Sequence, residues 1–130
     1  MSKRLEEHNR LAAKAVAADP QNRAVYKYTF VIGDYFTITM PKGAQILHVE
    51  TQQQIAQGGY RDQACLWALV QPTAKSEKRG FLLVGTGHPI SPTDRLVYVG
   101  TFMMEGGALV YHLFEKLGHD LWPFDTRARV

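Results

Sequence analysis

From Val25 onward the apolar residues recur at every second position, and short clusters of Gly, Pro and Asp interrupt the alternation at regular intervals. Successive side chains of a strand point to opposite faces, whereas those of a helix share a face about every 3.6 residues, so this period commits the middle of the chain to β structure. Tyr26, Tyr28, Phe30 and Ile32 fall on one face of the first strand. Gly33-Asp34 then reads as a two-residue hairpin turn leading into the alternating run Tyr35–Met40. Pro41-Lys42-Gly43 turns the chain into a third strand, Ala44–Thr51, with Leu47 and Val49 on its apolar side. Gln52–Gly59 reads as a polar hairpin tip. Ala64–Val70 and Phe81–Val84 are apolar on both faces, as central strands of a packed sheet are, and the polar run Gln71–Gly80 joins them. Leu96–Phe102 and Ala108–Phe114 form a last hairpin through Glu105-Gly106-Gly107. About seven antiparallel strands at this spacing predict a mainly β fold, a sandwich or small barrel.

Two segments flank that unit, giving an organisation of 1–24, 25–116 and 117–130. Ser2–Ala18 has alanine-rich helical composition, Ser2 as a candidate N-cap and Asp19-Pro20 as the stop. Leu5, Ala12, Ala15 and Val16 make a thin apolar stripe on that helix. The irregular tail carries Leu121, Trp122 and Phe124 around Pro123, too aromatic to be left in water. Leu5, Val16, Leu121, Trp122 and Phe124 are therefore the expected interface residues, toward the domain or a second copy.

Composition removes several alternatives. A 130-residue chain with 45% hydrophobic residues supports one core and not two full domains. No run approaches the ~18 apolar residues of a membrane span. Met1–Arg10 is charged and lacks the apolar stretch of a secretory signal, so the cytoplasm is the expected location. The single cysteine, Cys65, lies inside an apolar run and reads as a small buried hydrophobe. The 15 Lys and Arg exceed the 12 Asp and Glu by three, and the excess is spread over the first 23 residues and the stretch 72–95. Nucleic-acid binders gather such residues into a stripe, so nucleic acid is not the expected partner, and the alternate tyrosines read as sheet packing.

Residues that decide a chemistry are sparse. Gly85-Thr86-Gly87-His88 follows a strand, but Ile90 stands where the third glycine of a dinucleotide fingerprint would be. The turn is still able to form an anion nest, with Lys78, Arg79 and Arg95 as candidate cations and His88 as an exposed imidazole. His48 reads as a surface residue, and His112 as a satisfied core or interface residue. No pair of histidines has zinc-site spacing, no nucleophile elbow is present, and the acids are scattered, so neither an enzyme nor a cofactor is expected.

Taken as a string, the core motifs Pro41-x-Gly43-Ala44-x-Ile46-Leu47-x-Val49, Leu66-Trp67-Ala68-Leu69-Val70-x-Pro72, Val84-Gly85-Thr86-Gly87-His88 and Leu109-Val110-x-His112-x-Phe114-Glu115 resemble a family of small phage and prophage proteins of unknown function, over about residues 25 to 116. The resemblance implies a phage-encoded, stand-alone β domain. The expected function is then a non-enzymatic accessory protein that binds a host protein or small signalling molecule, counter-defence included, as a homo-oligomer. The alternative is a protein that sequesters a nucleotide or small anion, followed by a single-stranded nucleic-acid binder and a minor virion protein.

Overall fold

The computed structural model describes residues 6, 7, 9–11, 13, 14 and 19–118. Among them run seven strands: β1 (Ala24–Phe30), β2 (Tyr35–Pro41), β3 (Gln45–Ala56), β4 (Gly59–Val70), β5 (Ser76–Gly85), β6 (Leu96–Met104) and β7 (Leu109–Lys116). They pair in two antiparallel sheets, of order β1-β4-β3 and β2-β5-β7-β6. Phe30, Val49, Leu66 and Val70 of the first sheet and Met40, Phe81, Leu83, Phe102 and Leu113 of the second meet in one buried cluster. Of the two architectures expected, the sandwich is present and the closed barrel is not.

The aromatic residues that alternate along β1 and β2 do meet, but across the core. Phe30 stacks on Phe36 across the core at 4.8 Å, and Phe36 stacks at 5.6 Å on Phe81, its neighbour within the second sheet. The expected Gly33-Asp34 hairpin is thereby corrected: β1 pairs with β4 and β2 with β5, so residues 31–34 carry the chain from one sheet to the other. Both strands then present their apolar faces to the core from opposite sides, which a shared sheet would not allow. Gly33 is also absent from the glycines with positive φ, as a crossover rather than a II′ turn permits.

Three further expectations change. A bulge between Ile46 and His48 inserts Leu47 as an extra residue, keeping Ile46 and Val49 inward while Leu47 becomes 47% exposed on the outside. The strand after the polar loop starts at Ser76, so Lys78 and Arg79 belong to β5 and its pairing with β2. At the N-terminus, helical backbone occurs at Glu6, Glu7, Asn9, Arg10, Leu11, Ala13 and Lys14, a short stretch whose side chains are exposed, with Arg10 paired to Glu7. Of the expected interface residues, Leu5, Val16, Leu121, Trp122 and Phe124 lie outside the described residues.

The two sheets close on each other at the β3–β6 corner. A second bulge, between Tyr98 and Gly100, turns Gly100 toward β3. A Cβ on Gly100 would stand 2.6 Å from Val49 Cγ1, so the absence of a side chain is what lets the strands approach. The Thr51 hydroxyl donates to the Met103 carbonyl across the same corner. No helix of the described residues is long and apolar enough to cross a membrane.

Candidate functional site

The residues expected to hold an anion lie along β5, and the strand separates them. Gly85 ends β5 while Arg79 stands six residues earlier, roughly 20 Å away at about 3.3 Å per residue. Arg95 directly precedes Leu96, whose partner Lys116 also pairs with Gly80, so Arg95 lies at the Arg79 end as well. Lys78, Arg79 and Arg95 therefore do not converge on the turn Gly85–His88.

At the cation end, Arg79 is bound into the fold. Its Nε and Nη2 both donate to Glu115, the second at 2.9 Å, and Nη1 donates to the Ala44 carbonyl at 2.6 Å. Both side chains of this pair are only about one-sixth exposed, 15% and 16%. The Glu115 bond raises the Arg79 pKa against the opposing effect of desolvation. A guanidinium with all three nitrogens engaged ties β5, β7 and the β2–β3 turn together, and is spent as a ligand group.

At the glycine end a different geometry appears. His88 N–H donates to the Gly85 carbonyl at 3.1 Å, and Gly87 has φ of +88°, the left-handed third position a type II turn demands. The His88 ring folds back over Gly85, whose N–H donates to Nδ1 at 3.3 Å, and any Cβ on Gly85 would meet that ring at 3.2 Å. With Nδ1 accepting, the neutral ring carries its proton on Nε2 and offers it as a donor.

Beside this turn lies a cleft of about 340 Å³, lined by Gly85, Thr86, His88 and residues 108–111. Among the described residues its lining has no Lys, Arg, Asp or Glu. A chain of side-chain hydrogen bonds leads away from it across the outer face of the second sheet. Thr86 Oγ1 is 2.8 Å from His112 Nε2, His112 Nδ1 is 2.9 Å from Thr101 Oγ1, and Thr101 is in turn bonded to Tyr98 Oη. Hydroxyls donate or accept as needed, so the imidazole is satisfied in either tautomer. His112 is thus satisfied by hydrogen bonds, but half-buried on the outer face and not in the core, where one form of the expectation put it. His48 is a surface residue, its side chain 61% exposed beside Glu50. The Thr101–His112 contact was open to sequence reading: counting outward from the Glu105–Gly107 turn places these two residues opposite each other.

A second feature stands apart from both ends of β5. Beyond the Phe30–Ala64 pair β1 stops, but β3 and β4 stay paired from Gln52–Gln63 to Ala56–Gly59, a ribbon roughly 15 Å long. Ile55 and Tyr60 face each other near its tip and are 86% and 74% exposed. Its base is fastened by the Asp62 carboxylate, which accepts the Glu105 N–H at 2.6 Å.

A family model described as Domain of unknown function (DUF7352) matches residues 21–120, a span that takes in all seven strands. The chain belongs to this family. No curated protein and no solved structure matches it. The family match covers β1 through β7, both ends of β5 and the ribbon, so these features belong to the shared domain, while residues 1–20 and 121–130 lie beyond it.

Proposed function

We propose that this domain is a protein-binding accessory factor, phage-encoded, which engages a host component in the cytoplasm as a homo-oligomer and carries out no chemical step of its own. The observation that supports it is the Ile55–Tyr60 pair on the β3–β4 ribbon. A protruding hairpin whose cross-strand apolar pair is left in water buries little of that pair within its own fold, and such residues are typical anchors of an interface. Light scattering at micromolar concentration tests the oligomer, and affinity capture from host lysate read by mass spectrometry tests the partner. The expected result is an oligomer that captures a defined host component, with capture lost in the Ile55→Ser, Tyr60→Ser double variant at unchanged melting temperature. A monomer that captures nothing would overturn both halves.

A second reading, sequestration of a small ligand, is supported by the cleft at Gly85–His88. Its anion form has lost the cations, which stand at the other end of β5. A ligand panel stabilising the protein by RT ln(1 + [L]/Kd) is the corresponding test, and no shift with any ligand would end this reading.

A further inference from the structure

The β5–β7 ladder stops before β7 does. Its last pair is Gly85–Tyr111, whereas β7 begins at Leu109, so the positions opposite Val110 and Leu109 would have fallen to Thr86 and Gly87, which the type II turn diverts. In an antiparallel ladder each residue directs both its N–H and its C=O to the same neighbour, and the direction alternates along the strand. Leu83 N–H donates to the Asp34 carbonyl at 2.9 Å, on the β2 side, so Leu82 and Val84 direct theirs to Phe114 and His112 of β7. By the same alternation Val110 directs its N–H and C=O toward the vacated track, into the cleft. The β6 side agrees, since the carbonyl of Met103, the residue opposite Val110, is turned away toward Thr51. Among the described residues nothing on the β5 side pairs with Val110.

We infer that this gap is a binding site for an extended peptide, which adds to β7 as a short antiparallel strand in the place β5 leaves. The donor and acceptor of one extended residue stand farther apart than the adjacent donor and acceptor of a carboxamide or a nucleobase edge, and another extended residue reproduces that spacing. The cleft volume of about 340 Å³ suits a segment of about three residues. Thr86 and His88 supply the polar part of the lining, while Leu109 and Tyr111 supply apolar walls for its side chains. The lining is uncharged among the described residues, so backbone recognition dominates over any charge selection. The site is distinct from the ribbon, and the inference goes beyond the ribbon-based reading.

The test is a titration of the full chain, followed by amide NMR, with a blocked valine–threonine–valine tripeptide and with the same peptide N-methylated at its central residue. The expected result is saturable shifts confined to Thr86, His88 and 109–111, about tenfold weaker binding of the N-methylated peptide, and loss of binding in Ala108→Trp, which fills the cleft from an exposed position. The Ile55→Ser, Tyr60→Ser variant should bind the tripeptide unchanged, which separates this inference from the ribbon reading. Equal binding of both peptides, shifts elsewhere, or no shifts at millimolar peptide would overturn the inference. So would slow exchange of the Val110 amide in the free chain: independent of concentration it would mean the chain fills its own gap, and rising with concentration that a second copy does.

Discussion

The two ends of β5 differ in sequence and serve opposite purposes. At the start of the strand, charged residues in a polar run fold into a closed junction, where Arg79 is held by Glu115 and by the Ala44 carbonyl. At its finish, glycines and small polar residues leave a turn and, among the described residues, an uncharged cleft and an unpaired backbone edge at Val110. Of the three cations suggestive of ligand binding by type, Arg79 is thus engaged by the protein itself, while Lys78 and Arg95 stand exposed at the same end. The end whose lining carries no formal charge is the one left with an open backbone edge. Residue type says what a group is able to bind; register says whether the fold has already bound it.

This contrast predicts a graded set of outcomes. The largest is at the closed end: Glu115→Ala leaves a mostly buried guanidinium without its carboxylate and should cost about 3 kcal/mol in urea denaturation. A loss under about 0.5 kcal/mol would place Arg79 among surface ion pairs and weaken the contrast. Next is the corner that aligns the sheets, where Gly100→Ala drives a methyl into Val49 and should cost about 2 kcal/mol. Adding Val49→Ala should return part of that loss in a double-mutant cycle, and strictly additive effects would contradict the close approach. At the open end, Thr86→Val and His88→Ala should each change stability by less than about 0.5 kcal/mol while altering tripeptide binding.

The smallest effect concerns Cys65, remote from both ends. It is fully buried, and that burial raises its pKa, with the charge of Lys27 opposing. The folded state therefore keeps the thiol proton at a pH where the unfolded chain, with its ordinary value of 9.0, has begun to lose it. The stability is present in full below that pH and declines as pH rises through the folded-state value. Cys65→Ala should flatten the decline above pH 9, and the part due to Tyr28, also raised by burial, should remain. An unchanged slope would show that Cys65 titrates alike in both states.

The fold was largely legible because period-two alternation reports burial directly. Tyr28, Phe30, Ile38, Met40, Leu66, Val70 and Leu83 lie in or against the core, as the alternation from Val25 implies. Which strands pair was less legible. Alternation names the face a residue uses and not the neighbour it faces, so a four-residue crossover at 31–34 looked like a hairpin. Bulges at Leu47 and Val99 leave no local signature, since each is an apolar residue in an apolar run that only the partner strand shows to be extra. At the candidate site, the turn Gly85–His88 was readable from its glycines. The open edge at Val110 was not, because it consists of backbone groups whose availability depends on where β5 leaves the sheet.

Native-state amide hydrogen exchange of the full chain by NMR tests the contrast between a closed and an open end most directly. His112 and Phe114, bonded to β5, and Val110, facing the gap, sit two residues apart on one strand, so the comparison is internal. The account predicts slow exchange at His112 and Phe114 and exchange at Val110 faster by at least about tenfold, a difference of about 1.4 kcal/mol in opening free energy. Equal protection at all three amides would mean that the ladder continues past Gly85 or that the edge is already covered, and would contradict it.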